Sequence, residues 1–288
     1  KIILIKDILR MSKFLNFNKN IKLDKRFEFG KNWINFIRNL SRQQISESKR
    51  ALIDLIGSDN LDGKKFLDVG CGSGLMSLVA RELGAKVISF DFDKNSVNCS
   101  KKLKSKFMPG DDDWIILEGS VLDENYLNNF VGFDIVYSWG VLHHTGDMWK
   151  GLNNVLIPLK NEGSKLVIAI YNDQGYKSVF WRAVKKFYNI NPLTAIIVLI
   201  IFLPLYVIIN IMFGMILRRD PLAYFKDYRK NRGMSIYYDW IDWLGGYPYE
   251  FAKPEDIINF YKKKGFYLEN IITTNSLGCN QFVFEKRL

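Results

Sequence analysis

The residues of this chain best suited to chemistry are two acids and three alternating glycines: Asp68, Gly70, Gly72, Gly74 and Asp91. In Phe66-Leu67-Asp68-Val69-Gly70-Cys71-Gly72-Ser73-Gly74 an apolar run ends in an acid and a tight turn. Glycine there permits positive φ and close approach of the backbone to a ligand. The spacing is G-x-G-x-G. A dinucleotide fingerprint would need its third glycine where Leu75 stands, and a P-loop would close on Gly-Lys-Ser/Thr, so neither reading fits. Asp91 ends the next apolar run, Val87-Ile88-Ser89-Phe90. An acid at the end of a second strand is placed to accept both ribose hydroxyls of a bound nucleoside.

A second group of residues suits proton transfer and acceptor binding. His143 and His144 are the two histidines of the chain, and imidazole titrates in the range a general base needs. Between Tyr237 and Glu250 aromatic side chains alternate with carboxylates around a Gly-Gly-Tyr-Pro turn, a composition that can form a lid over an aromatic head group. Trp240 and Trp243, three apart on one helix face, read as packing. Tyr247 and Tyr249, in the turn, read as pocket residues together with Tyr171, and Asp239 is an alternative base.

These side chains need a scaffold that brings positions far apart in sequence to one edge. The first apolar run predicts a buried strand, and Leu75, Met76, Leu78, Val79 and Ala80 predict a helix from Gly74 packed back on it. Four regions follow: an N-terminal helical region over 1–60, a nucleoside-binding core over 61–174, a hydrophobic and aromatic insertion over 175–246, and C-terminal elements over 247–288. With 288 residues the chain can bury a substantial core. Cys71, Cys99 and Cys279 have no metal-type spacing and no even pairing, which suits a reducing compartment, and no metal site is expected. The chain starts at Lys1, with Met11 a candidate natural start, and residues 1–10 are too short and interrupted for a secretory signal. The net charge of +11, with clusters at Arg229-Lys230-Asn231-Arg232 and Lys262-Lys263-Lys264, suits a solvated face or an anionic partner.

Residues 193–217 contain no charged side chain and exceed the roughly 18 apolar residues that mark a membrane helix. A single crossing conflicts with the two C-terminal runs, Phe266 to Thr273 and Gln281 to Glu285, which must pair beside Lys165 to Tyr171. Pro204 predicts a break near Leu203, leaving halves of about 15 to 20 Å that do not cross a hydrocarbon core of about 30 Å. The expectation is a bent helix or shallow hairpin dipping into one leaflet. Arg182, Lys185, Lys186, Arg218 and Arg219 would flank it, and Trp181, Phe187, Tyr188, Tyr224 and Phe225 would sit at the head groups. A peripheral or monotopic cytoplasmic protein is expected on this reading.

The motifs together resemble the class I methyltransferases that use S-adenosylmethionine (SAM). The resemblance implies SAM as cofactor and an α/β, Rossmann-like sheet of seven strands, ordered 3-2-1-4-5-7-6 with the last antiparallel, and a hydrophobic helical insertion between strands five and six. Trp114 to Asp123 matches the third strand and adenine loop, Phe133 to His144 the fourth strand and its tip, and Lys165 to Tyr171 the fifth. By that likeness Asp68, Gly70, Gly72, Gly74, Asp91, Phe92, Ser120, Val121 and Trp139 bind the cofactor, and His144, His143 or Asp239 serves as base. Within the class the chain is most similar to ubiquinone-biosynthesis O-methyltransferases, through Phe29-Gly30, Trp33, Leu142-His143-His144 and Lys253-Pro254-Glu255. Gly140 and His143 stand where that family carries two carboxylates, which argues against a divalent-metal mechanism. The implied function is methylation of a small, lipid-soluble acceptor such as a quinone precursor or phenol. The alternatives are a glycan, lipid-linked sugar or other polar metabolite as acceptor, and a non-catalytic SAM-binding assembly subunit. No Asn/Asp-Pro-Pro-Tyr/Phe element follows the fourth strand, so nucleic acid is not an expected partner.

Overall fold

The computed structural model describes residues 40–217 apart from 160, residues 236–287, and positions 27, 33, 36–38 and 220. Phe29-Gly30, the cluster Arg229-Lys230-Asn231-Arg232, and the proposed flanking residues Arg218, Arg219, Tyr224 and Phe225 lie outside them, as do residues 1–26.

Seven strands form one sheet: β1 (Lys65–Val69), β2 (Lys86–Asp91), β3 (Trp114–Glu118), β4 (Ile135–Trp139), β5 (Lys165–Tyr171), β6 (Phe266–Ile272) and β7 (Cys279–Lys286). Their spatial order is β3-β2-β1-β4-β5-β7-β6, as the resemblance implied. The first five strands are parallel, and β7 runs antiparallel between β5 and β6. Strand order reverses between β1 and β4, and a crevice for ligands opens at such a switch point, beyond the carboxyl ends of the strands.

Alternation along the central strands explains why they read as unbroken apolar runs. Leu166, Ile168 and Ile170 of β5 join one core with Leu67, Val69, Val136, Phe282 and Phe284, while Val167 joins the other with Phe66, Val87, Ile135 and Val283. A strand covered on both faces has no solvent side to mark with polar residues. The covering helices include α1 (Arg42–Ile56), α2 (Leu75–Glu82), α3 (Lys94–Phe107), α4 (Glu124–Leu127) and α5 (Met148–Asn154). α1 starts with a reciprocal Ser41–Gln44 capping box and stops at Gly57 in the left-handed conformation.

Between β5 and β6 lie α6 (Tyr176–Tyr188), α7 (Pro192–Ile216), α8 (Ile236–Gly245) and α9 (Pro254–Lys262). α7 corrects one expectation: it is continuous over 25 residues, with Pro204 inside it. Proline removes one backbone donor there. Val198, Leu199, Phe202, Leu203 and Tyr206 pack into the same small core as residues of α6 and α8, so tertiary contacts hold the helix on both sides of the proline. At about 1.5 Å per residue it is about 37 Å long, more than a hydrocarbon core of about 30 Å, and it is not divided into two short halves. Its far face is bare: Leu193, Ile200 and Ile216 are each about two-thirds exposed, at 66%, 67% and 70%.

Two proposed flanking residues are also corrected. Lys185 and Tyr188 are buried, because the turn of α6 that carries them faces α8 rather than the outside.

The α9 side chain Tyr261 is fully buried and donates its hydroxyl hydrogen to the Leu152 carbonyl oxygen at 3.1 Å. Tyr261→Phe removes that donor while keeping the ring, and should cost about 1 to 2 kcal/mol in a urea unfolding experiment.

Candidate functional site

The glycine turn leaves β1 and is tied to the end of β2. Gly70 and Cys71 donate their N–H groups to the Phe90 carbonyl at 2.8 and 3.1 Å, and Gly72 donates to the Asp91 carboxylate at 2.9 Å. Gly70 has φ +78°, and a Cβ there would stand 2.4 Å from a Val141 methyl. Gly74 has φ +81° and caps α2, with its missing Cβ 2.7 Å from Ser100 Oγ. The chain therefore passes between β2, β4 and α3 as bare backbone. A Cβ at Gly72 would lie 3.2 Å from Trp33 Nε1, so the Trp33 indole lies against the turn.

Two acids lie under this turn. Asp68 is buried and accepts from Ser77 Oγ at 2.6 Å. Burial, together with the negative charge of Asp91, raises its carboxyl from 3.8 to about 7, against the lowering effect of the Ser77 bond. Asp91 also accepts from the Asp93 N–H at 2.8 Å, and desolvation raises it from 3.8 to about 6. Each carboxylate oxygen has two acceptor positions, so Asp91 can hold the turn and still accept from a ligand hydroxyl.

The tip of β4 continues into a 3-10 turn, Leu142–His144, beside the carboxyl end of β5. The C-terminal segment is clamped across it. The Glu250 carboxylate accepts from the N–H groups of Gly146 and Met148 at 2.9 and 3.1 Å, and its own N–H donates to the His143 carbonyl at 2.9 Å. His144 Nδ1 donates to the Pro248 carbonyl at 2.6 Å, leaving Nε2 as the lone-pair nitrogen. His143 Nδ1 accepts from the Tyr171 N–H at 3.3 Å. Burial holds both imidazoles neutral, His143 well below 6.5 and His144 at about 3, and the Lys185 charge pushes the same way.

Aromatic rings continue from this tip into the insertion. Tyr171 lies 4.0 Å from His143, 4.8 Å from Tyr249 and 5.9 Å from Trp243 between ring centroids. Trp243 meets Trp181 at 5.8 Å, and Trp181 meets Phe202 of α7 at 5.2 Å. An unbroken series of rings thus joins the β4 tip to the apolar helix.

Most residues named from the sequence gather at these two neighbouring places. Asp68, Gly70, Gly72, Gly74 and Asp91 form the turn, with Phe92 exposed beside it. Ser120 is half-buried and accepts from the Leu122 N–H at 3.2 Å, whereas the Val121 side chain belongs to the apolar core and leaves only backbone for a ligand. Trp139 is 46% exposed and donates to Gln281 at 3.1 Å. Tyr249 is buried, Tyr247 half-buried, and Asp239 lies on α8 near enough to bear on Tyr171. Trp243 joins the ring series as expected of packing, and Trp240 meets Tyr206 at 5.4 Å. Sequence reasoning missed the Glu250 clamp and the buried Lys185. An acid in a turn and a basic residue in a basic stretch carry no signal of their own.

A seven-stranded sheet of this order, with a glycine turn and acid at its switch point, defines the class I methyltransferase fold. Residues 67–164 match the family model described as "Methyltransferase domain". The structure is similar to magnesium protoporphyrin IX methyltransferase from Synechocystis with bound SAM, at TM-score 0.53 and 12% identity over 93% of this chain and 100% of that one. Among curated proteins, the chain is 32% identical to the bovine (Bos taurus) mitochondrial ubiquinone biosynthesis O-methyltransferase over 114 residues, 40% of this chain and 30% of that protein. It is 40% identical to the ribosomal protein L11 methyltransferase of Helicobacter hepaticus over 52 residues, 18% of this chain and 16% of that one. The chain thus spans less than a third of the length of these two relatives.

The raised carboxyls give a pH dependence with a definite sign. A folded-state carboxyl above its ordinary value binds its proton more tightly than in the unfolded chain, so its contribution is present at low pH and lost as pH rises through the folded value. For Asp68 the window runs from about 4 to about 7, and for Asp91 from about 4 to about 6. The thermal midpoint of the ligand-free protein should fall across this range. Asp68→Asn should flatten the fall by an amount on the order of a few kcal/mol, since a tenfold change in proton affinity is about 1.4 kcal/mol. Equal pH profiles for the two proteins would exclude a raised Asp68.

Proposed function

We propose that this chain is a SAM-dependent methyltransferase acting on a lipid-soluble acceptor that carries a hydroxyl group. The observation that carries the reading is the bare glycine turn latched to Asp91 beside the histidine-bearing β4 tip. The residues fit SAM on the structure's own terms: side-chain-free backbone where a Cβ would clash, an acid with acceptor capacity at the end of β2, and polar backbone after β3. Bound SAM supplies an electrophilic methyl on a sulfonium. The chain's own residues bind, orient and deprotonate.

In this reading Asp91 accepts from ribose hydroxyls, Ser120 and the Val121 backbone contact adenine, and Phe92 and Trp139 flank the site. His144 would take the acceptor's hydroxyl proton on Nε2 as the oxygen bonds the methyl and the methyl–sulfur bond breaks, its electron pair staying on the sulfur. Its Nδ1 bond to Pro248 supports that assignment, because the tautomer is held with the lone pair on Nε2. His143 is the poorer candidate, since its Nδ1 lone pair already accepts from Tyr171. Tyr171, Tyr247 and Tyr249 form the wall around the acceptor, and Asp239 is the reserve base. Burial brings His144 to about 3, below the range expected of a general base from the sequence, so it is a weak base that stays unprotonated at neutral pH, and the rate should not decline at mildly acid pH through this group.

The bare face of α7 supports a monotopic seat on one side of a membrane. α6 and α8 cover its other face along the first half, so lipid cannot surround it as it would a free span. The ring series from Phe202 to Tyr171 then leads from the bilayer side to the methyl donor.

Purified protein should transfer label from methyl-labelled SAM to a total lipid extract, with the label in the organic phase. Label confined to water would favour a polar metabolite, and SAM binding without transfer would favour a non-catalytic assembly role. Asp91→Ala should weaken SAM binding at least about tenfold, as loss of charge-assisted hydrogen bonds does. Ile200→Asp with Ile208→Asp, both on the exposed face, should release the protein in vesicle flotation while leaving SAM affinity unchanged. Continued flotation would remove α7 as the anchor.

A further inference from the structure

The aromatic wall behind the β4 tip contains a cation that packing does not explain. Lys185 is 0% exposed, and its ammonium lies 4.1 Å from the ring centroid of Trp243 and 5.0 Å from that of Tyr249. It donates to the main-chain carbonyl of Trp243, the single hydrogen bond recorded for it among the described residues. An ammonium has three donors. No carboxylate of the described residues comes within ion-pair distance, and Asp242 acts on it only from farther away. Faces of aromatic rings attract a cation, but a buried charge without a counter-ion remains costly.

The same wall holds a second buried donor. Tyr249 is 1% exposed, and the Ser178 side chain beside its hydroxyl makes no well-formed hydrogen bond with it. The Lys185 ammonium, near the Tyr249 ring and with donors left after its one bond to the Trp243 carbonyl, calls for an acceptor that bears negative charge. Tyr171 connects this pair directly to the histidines, through its contacts with Tyr249 and His143.

We propose that Lys185 and Tyr249 form an anion-recognising subsite of the acceptor pocket, so that the acceptor carries an acidic group, a carboxylate or phenolate, attached to an apolar body. The subsite deepens the methyltransferase reading and rests on it for the identity of the pocket, but the anion preference can be measured without turnover. Burial brings the Lys185 amine from 10.5 to about 7. The groups facing it are His143 and His144 from the β4 tip, Asp242 from α8, and Tyr249 from the C-terminal segment. Among these only Asp242 favours its charged form at neutral pH, so an arriving anion would strengthen its proton binding considerably.

The test uses dodecanoate and dodecanol, an anionic and a neutral probe of equal chain length, below their aggregation limits. Binding to the full chain is read by calorimetry at pH 7, and SAM affinity is measured on each sample. Wild-type protein should prefer dodecanoate by about tenfold or more, the worth of one charge-assisted hydrogen bond. Lys185→Met should reduce the preference to about twofold or less, and Lys185→Arg should retain a clear part of it. Lys186→Met removes the same charge from an exposed neighbour and should leave it intact, which separates the subsite from the general +11 charge of the chain. Equal binding of the two probes to wild type, or a loss of preference shared by both Met variants, overturns the proposal. If Lys185→Met does not fold, the wild-type comparison and Lys185→Arg still decide. Failure of SAM to bind wild type would refute the methyltransferase reading separately, whatever the probes show.

Discussion

The top of the sheet depends on one constraint: the chain leaving β1 must pass between the end of β2 and the tip of β4 with no side chains in the way. Val141 occupies the space a Cβ at Gly70 would need, and Ser100 does the same at Gly74. The backbone is then drawn to β2 by the Phe90 carbonyl and the Asp91 carboxylate. Because the N–H of Gly72 is spent on Asp91, the acid is held in place before any ligand reaches it. Asp68, buried below and bonded to Ser77, is the electrostatic cost of that arrangement.

The second half of the site is assembled from distant sequence. Glu250 stands about a hundred positions from Gly146 and Met148, yet its carboxylate collects their N–H groups and orders the loop under the histidines. Pro248 orients His144 in the same stroke. The segment after α8 therefore serves the β4 tip directly, and the insertion cannot shift relative to the core without disturbing the imidazoles. Phe27 adds a further tie, donating its N–H to the Tyr247 carbonyl at 2.9 Å.

α7 presents a balance of forces. One face is packed on Tyr188, Leu244 and neighbouring rings, and the other offers isoleucines and leucines to the surroundings. An apolar face of that extent on a protein surface marks a contact with something apolar. The proline that should break the helix does not, because packing on both sides of it outweighs one missing hydrogen bond.

By itself the sequence determined the strands, the strand-to-helix turn and the residues that close it. Apolar runs covered on two faces, glycines where no side chain fits, and acids at strand ends are local demands, and local demands leave local marks. The order of strands followed from the resemblance those marks carry. Tertiary structure alone decided which nitrogen of each of the two adjacent histidines carries the proton, since that turns on the Pro248 carbonyl and on the Tyr171 N–H. It also decided the continuity of α7 and the fate of Lys185, one of several basic residues in its stretch of sequence. Whether a lysine faces water or two aromatic rings depends on which turn of α6 meets α8, and that packing is a property of three helices together rather than of any one segment.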